Sequence, residues 1–551
     1  MNRSISQCLS LGSALLFVGT LASTADTFTV ANGDIAALKT AISTSNTNNQ
    51  DDTIELASGG TYTLTARDSF LNGLPQIAPD GTNHKLTIHG NGATITRVPA
   101  INDAAHKFRF FEVNSGATLT LSGLTLTNGN PGNFHGGAIY NNGETASTAL
   151  FLAGCTITGC SGDYGGAIFN DGYQDPSVGA HTATLIVSNS TFSGNTGTQY
   201  GGAIWNDSGG IVMNVTNSTF SQNTAVARDA GAIQFDGSAG TATGSLNNCT
   251  FTQNSAAGSG GAVNIDGVGG FNPNGDPTNG SAILLINNCT FSHNSATSGG
   301  AVALDGSNGT SSTGNATVSV SNCTLSDNSA NFGSAIYLSE TTAGTTVLHI
   351  GNTILATTVS GANFFLDNIT GGTVTVTSHG YNLNKDAGAG VLTSTGDQIN
   401  TDPLLDSAGL KNNGGPTMTI ALQAGSPALD KGKRDTIVIV SNDQRGVYKP
   451  FDDPNITNAS GGDGSDIGAY EADVRNTNQE RVGNDLRISF TTIVGRSYEI
   501  QHSTSLTGTF TVVLNTVPPP PIAGTGGVVQ VVVPNAFTAP GSHFYRVHEL
   551  P

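Results

Sequence analysis

The chain has 551 residues, of which 73 are glycine and only 11% are charged, a composition unsuited to packed helices and a length too great for one ordinary globular core. Thirty-nine acidic residues against 20 basic ones give a formal charge of -19, which repels phosphate backbones and anionic lipid headgroups and argues against a nucleic-acid partner. A repeat architecture escapes the size limit, because each unit contacts only its neighbours.

Residues 1–25 read as a signal peptide, with Arg3 as the positive region, an apolar stretch over 9–21, and Ser23-Thr24-Ala25 before a cut near Asp26. The apolar stretch is too short to span a bilayer. Cys8 precedes it, which disfavours a lipoprotein cysteine, and no later segment reaches transmembrane length. The expectation is a secreted or cell-surface protein, monomeric and not integral to the membrane. Residues 34–42 carry apolar side chains at helical spacing behind Asp34 as N-cap, and are expected to plug the open end of a solenoid. Strands at 53–56, 62–64, 85–88 and 118–121 then form the first, less regular coils.

Beyond residue 130 the chain repeats itself. Gly136-Gly137-Ala138-Ile139 recurs at 165–168, 201–204, 260–263 and 299–302, with looser copies at 230–233 and 333–336. A second element, Ser190-Thr191-Phe192-Ser193-Gly194-Asn195, recurs at 218–223, 249–254, 289–294 and 323–328. The two alternate with a period of about 30 to 40 residues, as in repeat arrays. Stretches such as 183–188 and 316–321 alternate β-branched with other residues, so the repeats are strands, and strands stacked about 4.8 Å apart bury in a stack what none buries alone. The expected fold is therefore all-β, a right-handed parallel β-helix. Its core holds the column Phe192, Phe220, Phe251 and Phe291, and Asn195, Asn223, Asn254, Asn294 and Asn328 turn a corner.

These alternating motifs resemble the repeats of the polymorphic outer-membrane protein family, over roughly residues 130 to 340, which implies a bacterial surface β-helix protein. Downstream, Asp402-Pro403-Leu404-Leu405, Leu410-Lys411-Asn412-Asn413-Gly414-Gly415-Pro416-Thr417, Gly425-Ser426-Pro427-Ala428-Leu429-Asp430, Asp443-Gln444-Arg445-Gly446 and Asp466-Ile467-Gly468-Ala469-Tyr470-Glu471 resemble, in order, the choice-of-anchor Q module, which implies surface export without assigning chemistry. Arg445 is expected to pair with Asp466 or Glu471 there. Strands at 486–490, 498–502, 509–514, 528–533 and 544–547 suggest a small β-sandwich, with Arg496-Ser497-Tyr498-Glu499-Ile500 and Phe544-Tyr545-Arg546-Val547 similar to fibronectin-type modules. The organisation reads as signal peptide 1–25, β-helix with capping helix 26–400, anchor-like module 401–475 and sandwich 476–551.

Catalysis is not expected. A lyase on this scaffold needs a basic proton abstractor beside calcium-ligating carboxylates, yet Arg228 is the only lysine or arginine between Pro131 and Glu340. A hydrolase needs converging carboxylates, and the pairs Asp51-Asp52 and Asp452-Asp453 lie outside the regular coils, while the Gly-His-Gly signature of polygalacturonases is missing. No residue is assigned a catalytic role. His135, His181 and His293 lack metal-ligand spacing. Cys155, Cys249, Cys289 and Cys323 share one repeat position and Cys160 falls in the asparagine column; they read as small buried thiols, with Cys155–Cys160 or Cys249–Cys289 as the alternative disulfides.

Two outward columns carry the functional expectations. Tyr140, Phe169 and Trp205 follow the Gly-Gly-Ala-Ile motif in successive coils, Trp205 being the only tryptophan, and an aromatic row at coil spacing suits stacking on sugar rings. A loop covering the row is the competing reading. Asp171, Asp207, Asp236, Asp266 and Asp305 form an acidic column. Carboxylates about 5 Å apart repel by about 0.8 kcal/mol per pair in water and about 3 kcal/mol at an effective dielectric of 20. The column therefore needs solvent, separate turn amides or bound Ca2+. The functional expectation is a binding or adhesion protein with an extracellular glycan as partner; a carbohydrate-active enzyme in the same groove and a purely structural spacer are the alternatives.

Overall fold

The computed structural model describes residues 25–81, 85–98, 106–172, 181–207, 209–238, 240–267, 280–306, 314–340, 344–357, 361–368, 372–453, 456–473, 476–505 and 507–550. The expected signal peptide, apart from its last residue, lies outside them.

One coil shows how the sequence makes the solenoid. Ala183–Ser188 lies in a first sheet, Thr191–Ser193 in a second, Thr196–Tyr200 in a short one and Ile204–Asp207 in a third, and Ile211–Thr216 then returns to the first. Among the described residues the three long sheets have 12, 11 and 9 strands and the short one 4. All their named pairings are parallel, so each coil lies in register on the last: Ile168 pairs with Ile204, Ile204 with Ile233, and Phe192 with Phe220. Inward residues alternate with outward ones along Ala183–Ser188 and Ile211–Thr216. The phenylalanine column is fully buried, its rings 4.7 to 4.9 Å apart and within 8° of parallel.

Corners are turned by residues in the left-handed region. Asn189 (φ 49°), Gly194 (φ 60°) and Gly201 (φ 60°) sit in the first three bends of this coil, and Gly210 (φ 86°) precedes the return to the first sheet. The asparagine column therefore does not supply the bend. The residue before it does, as Gly194, Gln222, Gln253, His293 or Asp327, and the asparagines turn inward to zero exposure. The second glycine of the repeated motif meets a different constraint, since a Cβ at Gly202 would lie 2.0 Å from the Gly231 carbonyl oxygen.

The N-terminal end is closed as expected from residues 34–42. Helix α1 (Ile35–Ser45) is capped by the Asp34 carboxylate, which accepts the Ala37 N–H at 2.9 Å, and it buries Leu38, Ala41 and Ile42 on the solenoid core. A strand ahead of it, Asp26–Val30, joins the first sheet beside Asp52–Leu56.

The described residues of 401–473 have little regular structure and lie along the outer face of the second sheet. The Gln444 amide donates to Thr250 Oγ1 (2.9 Å) and accepts from Thr290 Oγ1 (2.6 Å), Ala469 N–H donates to Thr324 Oγ1 (3.1 Å), and Asn352 Nδ2 donates to the Asp466 carbonyl (3.1 Å). Thr250, Thr290 and Thr324 are buried in consequence, whereas the equivalent Thr191 and Thr219 stay half-buried. The C-terminal strands form two small antiparallel sheets with their own core around Phe490, Tyr498 and Ile500, as a β-sandwich requires. No helix among the described residues is long and apolar enough to cross a membrane.

Candidate functional site

The third sheet presents Tyr140, Phe169 and Trp205 side by side, paired in strict register. Their environments differ. Tyr140 and Trp205 are half-buried, but Phe169 is 3% exposed. The expected open row is interrupted at its centre, because His135, Tyr140 and Trp205 close over the Phe169 ring at centroid distances of 4.8, 5.2 and 5.3 Å.

Two tyrosines that sequence reasoning passed over complete the patch. Tyr164 and Tyr200 end adjacent strands of the short sheet, just ahead of the glycine corner, and pair with each other past a register shift between Gly162 and Tyr164. Their rings stack at 5.9 Å, and Trp205 packs against them at 4.1 and 5.4 Å. The corner thus brings aromatic side chains from both sides of each Gly-Gly into one surface. The signal was present in the sequence as Tyr before Gly-Gly at 164 and 200, one residue outside the motif.

Charged groups frame the patch. The Arg228 guanidinium lies 5.7 Å from the Tyr200 ring centre and Arg109 lies 5.1 Å from that of Tyr140. Tyr140 donates to Asp171 Oδ2 at 3.0 Å, and burial with that carboxylate beside it holds the phenol far above its usual range. Burial lowers the His135 pKa, which leaves the imidazole neutral at physiological pH. Two buried polar atoms here, Trp205 Nε1 and His135 Nδ1, have no hydrogen-bond partner among the described residues.

The acidic column is also in register, Asp171 with Asp207 and Asp236 with Asp266 and then Asp305. It does not face solvent throughout: Asp171, Asp236 and Asp266 are buried. Asp236 Oδ1 accepts the Ser238 N–H at 2.8 Å, the turn bond expected of aspartate before glycine, and desolvation raises its pKa to about 6. Among the described residues no three His, Cys, Asp or Glu side chains gather as a metal site requires. A cavity of about 40 Å³ beside Asp229, Asp266 and Asp305 has room for water but not for a sugar.

The cysteines behave as small polar ladder members. All five described ones are free and buried. Cys289 Sγ accepts the Cys249 N–H and Cys323 Sγ the Cys289 N–H, each at 3.4 Å, as Ser190 and Ser218 hydroxyls do for Cys155 and Ser190 at 3.1 Å. The Arg445 side chain is buried but forms an ion pair with neither expected carboxylate, although its Nη2 donates to the Glu471 backbone carbonyl. It binds Asp443 at 2.7 Å and Asp473 at 3.6 Å and lies 3.8 Å over the Tyr470 ring, while Glu471 is taken by Lys449 at 3.6 Å.

Residues 189–207 and 248–266 match the family profile of the Chlamydia polymorphic membrane protein repeat. Each match starts at the left-handed asparagine before the second sheet, crosses the ladder residues and ends on the acidic column. These two coil segments are similar to polymorphic membrane protein repeats. Neither curated proteins nor solved structures gave a match. In this chain each matched segment is the part of one β-helix turn that lies outside the first sheet, and the Gly-Gly-Ala-Ile of the first match sets a corner on which the aromatic patch is built.

Proposed function

We propose that this repeat protein is exported, exposed at the cell surface, and binds an extracellular glycan on the patch formed by Tyr164, Tyr200 and Trp205. The observation that carries the reading is the half-buried stack of Tyr164 and Tyr200 from successive coils with Trp205 against it. Aromatic faces at coil spacing offer sugar rings apolar contact area, and the edges of a Tyr or Trp add a polar handle. Asp207 and Asp163 lie beside the rings as acceptors for hydroxyl groups. A net charge of -19 disfavours uronic-acid polymers, so the partner is a neutral glycan.

Electrophoresis through gels containing single polysaccharides tests this directly. At least one neutral polysaccharide should retard the protein, and Tyr200→Ala or Trp205→Ala should weaken retention by roughly three- to tenfold, matching about 0.5–1.5 kcal/mol per aromatic contact. No retardation by any of them sinks the proposal. Accumulation of reducing ends or unsaturated products in the same incubations would make the protein an enzyme instead.

A further inference from the structure

A cavity of about 490 Å³ lies where residues 402–409 pass the corner of the second sheet, near its C-terminal coils, and it uses none of the aromatic patch. Its volume falls within the range of small-molecule sites, about 300–1,000 Å³. One wall is the corner column. His293 and Asp327 stand where Gly194 stands in an earlier coil, and the left-handed backbone there (φ 59° and 56°) aims both side chains out of the solenoid. The opposite wall is the 402–409 segment, with Ile420 and Gln423 behind it.

The lining selects the chemistry of an occupant. Among the described residues Lys385 is the only lysine or arginine lining the cavity, and it is already paired with Asp402 at 3.0 Å. An anion therefore finds no uncommitted cation. Asp402 holds the Lys385 ammonium and the Leu404 N–H, Asp406 holds the Lys411 ammonium at 2.7 Å and the Ala408 N–H at 3.0 Å, and Asp327 accepts the Ser326 hydroxyl at 2.9 Å. The remaining lone pairs of these carboxylates and Gln423 Oε1 are acceptors, which favour a ligand rich in hydroxyl donors. Leu404, Leu405 and Ile420 supply an apolar face. Leu404 is held at φ 49°, a conformation that bulky residues avoid, with 41% of its surface exposed. Asp402 Oδ1 fixes it by accepting the Leu404 N–H at 3.1 Å, so the segment holds an apolar side chain open to solvent on the cavity wall.

We infer that this cavity is a second carbohydrate site, taking a neutral mono- or disaccharide between the His293–Asp327 corner and the Leu404 turn. Isothermal titration with glucose, galactose, mannose, xylose, N-acetylglucosamine and cellobiose, with galacturonate as the charged control, tests it. At least one neutral sugar should bind the full chain with one-to-one stoichiometry. Ser407→Trp, which fills the cavity from an exposed position, should cut that affinity at least tenfold, and so should His293→Gly, which restores the residue found at 194. Trp205→Ala should leave it unchanged, which separates this site from the aromatic patch. Absence of binding by every neutral sugar, preference for galacturonate, or loss of binding in Trp205→Ala with retention in Ser407→Trp and His293→Gly would each overturn the inference.

Discussion

Asn223 makes four side-chain hydrogen bonds from a position with no exposed surface. Its Oδ1 accepts the backbone and side-chain N–H groups of Asn195, and its Nδ2 donates to the Phe192 carbonyl and to Asn254 Oδ1, all at 2.9 to 3.0 Å. Truncation leaves several of these partners buried and unpaired, at about 1–3 kcal/mol each. Asn223→Ala is therefore expected to lower stability by at least about 3 kcal/mol in a denaturant titration, and a loss below about 1 kcal/mol would show that the ladder carries little. The thiol column obeys the same rule with a sharper contrast. Cys289→Ser should be nearly neutral, since serine already serves at 190 and 218, whereas Cys289→Val removes the acceptor for the Cys249 N–H. The phenylalanine and asparagine columns were legible because each residue type recurs at one motif position over four or five coils. The inner row Asn141, Asn170 and Asn206, whose amides bond in sequence at 2.6 and 3.0 Å, was not, because Phe235, Ile265 and Leu304 replace it in later coils.

A strand in this solenoid has two faces with different rules, and the sequence separates them only in part. Inward residues follow a strict alternation, so sheet membership and register could be read from the repeat alone. Outward residues answer to whatever packs across the corner, and that depends on side chains some forty residues apart. The repeat alone therefore places Phe169 in an open row. Its ring is buried by His135 from the preceding loop and by Trp205 from the next coil. Phe169→Ala should accordingly cost about 3–5 kcal/mol as a core truncation does, whereas Trp205→Ala should cost less and act on glycan retention; equal melting temperatures for the two variants would contradict the geometry. The acidic column tests the same distinction. Asp236 already holds the Ser238 N–H, so millimolar calcium is expected to leave the melting temperature unchanged, and a rise abolished by Asp236→Asn would restore the cation reading.

At the scale of the whole molecule, residues 401–475 act as a clasp along the second sheet, and their buried charges make it sensitive to pH. Among the described residues Asp430, Asp443, Asp466, Glu471 and Asp473 are buried with only Arg445 and Lys449 among them as buried cations. Arg445 is held by Asp443 and Asp473, which leaves Lys449 to serve the other three carboxyls. Burial, reinforced by the Asp466 charge, raises the Asp430 pKa to about 7; burial likewise raises Asp466 to about 7, against the neighbouring N–H donors and Lys449, and raises Glu471 well above the usual carboxylate range. The unfolded chain ionises these groups near 3.8 for the aspartates, so between about pH 4 and pH 7 the folded state binds more protons. Stability must fall as pH rises through that window, and most of the loss is complete above the folded value. Asp236, raised to about 6, adds to the same trend. Melting temperature should therefore be higher at pH 5 than at pH 8. Amide exchange should locate the alkaline loss in residues 401–475 before the coils, because those residues hold the sheet through isolated hydrogen bonds such as those of Gln444 and Asn352. Asp430→Asn removes one proton from this balance while keeping an acceptor for the Asp453 N–H at 3.1 Å, so it should raise stability at pH 8 and flatten the slope. A protein as stable at pH 8 as at pH 5, with Asp430→Asn showing the same profile, would mean that the clasp relaxes around its charges and does not couple them to folding.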